Sequence, residues 1–320
     1  MLGKSAPPAP EPRAPDPEPA VAKPGGNLRG AVWWSAGMVL ALGLAWFAAY
    51  WVASVRSTHK VLQEVARGAC SGEEAVRRLG GPGRAAARLS LYLRLPARWA
   101  DRKGSAIWPL ELCGRPAVPA LTRALGSPDL YVRRRAAAAL GKIEPDSAGA
   151  VPELAAALAE HDDELRCTAA WALGRIGPPA APAVPGLIGA LKVSPDHYFR
   201  RRHEWDVPRY AAWALGRIGP EAAPAVPELV KLLALGYETS RNAAYAMGKI
   251  GPAAAPAVPA LAKALDDRDA RVRAAAAIAL GQVGPAARAA VPALEARLMD
   301  RSEAVREEVE LTLKQLRGGN

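Results

Sequence analysis

The chain has little of what most enzymes and disulfide-bonded domains are built from. Its three cysteines, Cys70, Cys113 and Cys167, lie far apart in 320 residues. They form neither the paired Cys-x-x-Cys spacing of a zinc site nor a disulfide framework, and such usage leans toward a reducing compartment. Four histidines, His59, His161, His197 and His203, do not recur at the i, i+4 spacing that sets two ligands on one helix face. There is no P-loop, no G-x-S-x-G and no dinucleotide fingerprint. Alternating apolar and polar runs of strand type are also missing. No catalytic residue, cofactor, metal or small-molecule substrate is therefore expected.

Proline, by contrast, is abundant, and eight of the 30 prolines fall within residues 1–30. That segment has few large apolar side chains to bury and reads as a disordered, Pro-rich N-terminal tail. Residues 31–55, AVWWSAGMVLALGLAWFAAYWVASV, follow without a single charge, between Arg29 and Arg56. At 1.5 Å per residue this run is long enough to cross a hydrocarbon core of about 30 Å. Trp33 and Trp34 near one end, with Tyr50 and Trp51 near the other, suit the two interfacial belts. A cleaved signal peptide would have a shorter apolar core and a recognisable cleavage site. A buried core helix would confine its aromatics to one stripe. The run is thus expected to be a single-pass transmembrane helix. Arg13, Lys23 and Arg29 balance Arg56, Lys60 and Arg67 across it, and Arg77, Arg78, Arg84 and Arg88 further on tip the larger part toward the cytoplasm. Residues 56–320 carry 38 Lys and Arg against 28 Asp and Glu, so nucleic acid or anionic lipid enters as a possible partner.

Residues 56–114 read as a helical linker and degenerate N-terminal cap repeats, and residues 115–320 as six repeats. The phrase A-V-P-x-L recurs with prolines at Pro119, Pro152, Pro185, Pro227, Pro259 and Pro292. A second phrase, A-L-G or A-M-G, ends at Gly141, Gly174, Gly216, Gly248 and Gly281, each 11 residues before the next of those prolines. Proline is tolerated in a first helical turn, so a short helix begins at each A-V-P. A second helix follows with an acid shortly before an arginine, as in Asp163 and Arg166, and stops at Gly-Pro, as in Gly219-Pro220.

The second helix of each unit is close to V-R-x-x-A-A-x-A-L-G-x-I-G, and residues 132–143 and 272–284 follow it closely. In this the chain resembles the HEAT-like repeats of phycobilisome lyases. The resemblance covers about 115–317 well and 60–114 in worn form, with Trp108 to Gly114 as a degenerate second helix. It implies an all-α, armadillo-like solenoid wound as a right-handed superhelix, with the second helix of each unit on the inner face. It also implies a molecule that works as a binding surface. One relative in the wider superfamily, deoxyhypusine hydroxylase, builds a di-iron site from repeated His-Glu pairs; here only His203-Glu204 matches. Bilin lyases share the repeats, but no residue set specifying bilin chemistry is present; an accessory lyase or oxidoreductase role is a second alternative.

Two surfaces stand out as binding candidates. Three residues before the A-L-G glycine, successive units place Ala138, Trp171, Trp213, Tyr245 and Ile278. This position lies about 200° around the helix from the leucine preceding the glycine, so a core-facing leucine turns the aromatic outward. Trp171, Trp213 and Tyr245 would then form an aromatic stripe, with Arg209 and Arg241 four residues earlier placed to stack on the rings. The competing expectation is that the rings pack on neighbouring helix backbones. The second surface is an insertion near 193–207, between the helices of the third unit, holding Tyr198, Phe199, Arg200, Arg201, Arg202 and Trp205. A basic, aromatic loop of this kind suits docking on an acidic protein, nucleic acid or lipid head groups. The expected function is a membrane-tethered scaffold or adaptor for a protein partner, with nucleic-acid or anionic-lipid binding through the insertion as the alternative.

Overall fold

A computed structural model describes residues 52–65, 71–93, 110–192, 206–235 and 237–318. Most of the expected transmembrane run (31–51), the N-terminal tail and nearly all of the insertion (193–205) lie outside these residues. Residues Ala53–Asn320 form one compact unit.

Every regular element among the described residues is helical. Helix α1 covers 52–65, α2 Gly72–Arg78 and α3 Pro82–Leu93. Six pairs follow: α4 (Val118–Ala124) with α5 (Leu130–Ile143), α6 (Val151–Ala157) with α7 (Asp163–Ile176), and α8 (Val184–Ala190) with α9 (Val207–Ile218). Then come α10 (Val226–Leu232) with α11 (Tyr237–Ile250), α12 (Val258–Ala264) with α13 (Ala270–Val283), and α14 (Val291–Glu295) with α15 (Glu303–Gly318). The architecture is an all-helical repeat solenoid.

Each short helix, α4 to α14 by even number, starts at the valine of A-V-P, with proline in its first turn. A 3-10 segment precedes it, such as Pro178–Ala183 or Pro220–Ala225, a connection the repeat phrases do not announce. The long helices open on acidic caps: Asp129, Asp162, Asp206 and Asp269 accept backbone N–H bonds from Tyr131, Leu165, Arg209 and Arg271. They close on a residue of positive φ, which is Gly177 (74°), Gly219 (89°), Gly251 (73°) or Gly284 (80°) in four units. The first unit has Glu144 there, at φ 63°, a conformation L side chains rarely adopt.

The long helices α5, α7, α9, α11, α13 and α15 pack on one another in sequence and carry most of the contact between units, while the short helices line the other side. The leucine before each A-L-G glycine (Leu140, Leu173, Leu215, Leu280, with Met247 in the fourth unit) is wholly buried between the two rows. Val55, Val61 and Leu62 of α1 join the same core, as do Ala75, Leu79 and Leu89 of α2 and α3. The other end is closed by α15, which exposes Glu307, Glu310 and Lys314 to solvent and serves as a polar cap. Among the described residues one run, Ala270–Glu295, is apolar and long enough to span a bilayer by composition (mean hydropathy 1.2). It comprises α13, the 3-10 segment Gly284–Ala290 and α14, packed within the repeat stack. We therefore read this run as a core element of the solenoid.

Candidate binding face of the long helices

The A-L-G glycines lie inside the long helices, not at their ends, and each marks where the next long helix comes closest. A Cβ placed on Gly174 would stand 2.4 Å from Trp213 Cζ3 and 2.9 Å from Ala214 Cα. The same register repeats along the stack: Gly141 lies under Trp171 and Gly216 under Tyr245. Further on, Gly248 lies under Gln282 and Gly281 under Gln315. Trp171 and Trp213 are half-buried and packed against the core, and Tyr245 is half-buried as well. One edge of each ring thus rests over a glycine of the preceding long helix, and each residue keeps intermediate exposure. The row continues beyond the three rings through Ile278 (37 % exposed) and Leu311 (52 %), a member the sequence reading did not extend to.

The cations over the rings are not the expected ones. Arg175 lies over Trp171 at 5.5 Å from the centroid, Arg217 over Trp213 at 6.0 Å and Lys249 over Tyr245 at 5.7 Å. Each follows its ring by four residues, one helical turn toward the C-terminus. Arg209 instead lies over Tyr210 at 4.8 Å, and Arg241 pairs with Glu238 in its own helix. The sequence signal for the true partners was the basic residue after the glycine in the ring-bearing units, Arg175, Arg217 and Lys249. Arg175 is further engaged by Glu144 of the preceding unit, and Lys142 by Glu111 at 2.7 Å.

Near the other end of the long helices, polar groups link one unit to the next. Arg134 donates from Nε to Asp162 Oδ1 at 2.8 Å and also pairs with Glu164. This contact with Arg134 holds the Asp162 carboxyl below the usual carboxylate range. Thr239 donates to Asp206 Oδ2 at 2.7 Å, and Arg271 reaches Glu238 at 3.1 Å. Arg273 and Asp300 form an enclosed two-bond pair at 2.8 and 2.6 Å, and Arg273 also donates to the carbonyls of Asp267 and Arg268. Arg133, Arg166 and Arg306 likewise donate to carbonyls of the turn preceding their helix. The acid and arginine of each unit therefore serve mainly as helix cap and turn clamp; of the expected pairs, Asp163 with Arg166 and Glu238 with Arg241 form within the helix.

Burial pushes the Cys113 thiol up to about 11 and the Cys167 thiol to about 12, far from a nucleophile's range. Among the described residues no group of three or more His, Cys, Asp or Glu is placed to hold a metal ion. The insertion residues Tyr198, Phe199, Arg200, Arg201, Arg202 and Trp205 lie outside the described residues.

Comparison with known proteins agrees with this architecture. The HEAT repeat model matches residues 118–204 and 236–314, together more than half of the chain. The chain belongs to the HEAT repeat family. The phycobilisome-lyase HEAT-like repeat model matches the unit between them, residues 207–234. Among solved structures, an engineered protein aligns with TM-score 0.55 and 24 % identity, over 82 % of this HEAT chain and 79 % of its own. A designed armadillo repeat protein in complex with the peptide (KR)4 aligns with TM-score 0.51 and 21 % identity, over 62 % and 99 %. At these identities the likeness is one of fold. Compared with curated protein sequences, the chain matches none.

Proposed function

We propose that this HEAT repeat protein is a membrane-tethered scaffold that holds a protein partner against the inner, long-helix face of its solenoid. The observation that carries this reading is the row Trp171, Trp213 and Tyr245: three half-buried rings at one register, each with a cation over it. Rigid aromatics bury much area at little entropic cost, and aromatic and arginine side chains dominate binding hot spots. Repeat solenoids of this class commonly mediate protein–protein interaction, and the designed armadillo relative is seen with a bound peptide. Tethering rests on the uncharged run 31–55, with the proline tail on the opposite side of the bilayer and the solenoid in the cytoplasm.

The test uses the full chain in its membrane, chemically cross-linked and recovered from wild type and from a Trp171/Trp213/Tyr245 triple alanine variant at low and high salt. A partner protein recovered by wild type in both salts and lost with the variant supports the reading. Recovery that ignores the aromatics and vanishes in salt would point instead to a polyanion held by the Arg200–Arg202 insertion.

A further inference from the structure

Resting on the scaffold reading, we propose that the segment bound along this row is an extended acidic peptide, its carboxylates received chiefly by Arg217 and Lys249. The charged groups along the row are cations, and its two indoles are donors only. In Trp171 and Trp213 the Cε3–Cζ3 edge fills the space over Gly141 and Gly174. The indole N–H lies on the opposite edge of the ring system and so is turned away from the preceding helix. Neither N–H is buried without a partner, and among the described residues neither donates to a protein group. Indole N–H, guanidinium and ammonium have no acceptor atom between them, so the ligand must bring acceptors and negative charge.

The charge is graded along the row. Arg175 is engaged by Glu144, whereas Arg217 and Lys249 are exposed and, among the described residues, join no ion pair. The third and fourth units are therefore the electropositive centre, and an acidic ligand gains most there. The designed armadillo relative holds a peptide of the opposite sign, (KR)4.

A peptide fits better than a nucleic acid. Single-stranded nucleic acids bind such surfaces by stacking bases on open aromatic faces. Here each ring has an edge on a neighbouring glycine and a cation over a face, which leaves rims and N–H groups in place of stacking platforms. Packed helices lie about 8–10 Å apart, and an extended chain advances about 3.3 Å per residue. Successive units then meet every third residue of the ligand, or every second where the face is curved inward.

The experiment uses full-length protein in nanodiscs of uncharged lipid and a fluorescein-labelled twelve-residue peptide with Glu at every third position in a Gly/Ser background. A peptide with Lys in place of Glu and a twelve-nucleotide oligothymidylate serve as comparisons. The Glu peptide should bind at least tenfold tighter than either. Arg217→Gln/Lys249→Gln should weaken it about tenfold, and Trp213→Phe, which keeps a ring over Gly174 without the N–H, several-fold, with helical content unchanged. Equal or tighter binding of the Lys peptide overturns the inference. So does oligothymidylate binding that matches the Glu peptide and falls equally in the double variant, the mark of an unselective polyanion site. Absence of Glu-peptide binding while a partner protein still cross-links through the aromatic row overturns the acidic-peptide inference alone; loss of both overturns the scaffold reading too.

Discussion

At Gly174 a hydrogen atom in place of a methyl group lets two helices meet, and a Cβ there would stand 2.9 Å from the Ala214 backbone as well as against the Trp213 ring. Rotating the ring away cannot relieve the backbone contact. Gly174→Ala should therefore lower the melting temperature: overpacking costs about 1–3 kcal/mol, which outweighs a helix-propensity gain of about 1 kcal/mol. Removing the ring too, in Gly174→Ala/Trp213→Ala, should not restore wild-type stability. Glu144 makes the opposite case. It occupies a backbone region that costs about 1–3 kcal/mol for an L side chain, and its exposed pair with Arg175 returns about 0–1 kcal/mol. Glu144→Gly should raise thermal stability by about 1 kcal/mol despite the extra freedom of the unfolded chain; an unchanged or lower melting temperature would show that the Arg175 contact matters more. Cys113 and Cys167 should resist iodoacetamide at pH 8 in the native protein and react once it is unfolded, as read by peptide mapping. The periodic glycines were visible in the sequence, but their role was not. Helix-interior glycine and helix-ending glycine look alike until one sees that two further helical residues, as in Arg175 and Ile176, precede the true stop.

At the scale of the element, the long helices hold the stack. Their Ala-rich flanks, such as Ala169, Ala170 and Ala172 of α7, are wholly buried and permit close backbone approach. The pairing of short with long helix was legible because proline and Gly-Pro act locally on φ and on N–H supply. The 3-10 connections were not, since Pro182, Pro224 and Pro256 repeat the same signal within them. Contacts between units, such as Arg134 with Asp162, were also hidden, because their partners lie 28 residues apart and in-helix pairing predicts a nearer one. The pair Arg273–Asp300 is the most enclosed of these joints among the described residues. Asp300→Asn leaves a buried guanidinium without its counter-charge and should cost about 3–5 kcal/mol, read by denaturant unfolding. The hydrogen bond from Arg273 depresses the Asp300 carboxyl, and that from Arg134 depresses Asp162. A lowered folded value means stability that is present above the unfolded pKa of about 4 and lost as pH falls below it. Wild type should thus lose stability below about pH 4, and Asp300→Asn should lose less over the same range.

For the molecule as a whole, stability is roughly a sum over units and their interfaces. Excising one unit between Pro227 and Pro259 should leave a folded helical protein with a lower melting temperature; complete loss of helicity would show instead a single cooperative core. The solenoid itself was readable from six recurrences of A-V-P-x-L, whereas the face it presents depended on which side of each helix the neighbouring unit covers. Site-specific photo-crosslinking shows whether a partner meets that face. A benzophenone side chain is placed in the full-length protein at Ile278, in the aromatic row, or at Glu153, exposed on the short helix α6. A protein adduct is expected from position 278 and none from 153. An adduct from 153 with none from 278 would place the partner on the short-helix side instead.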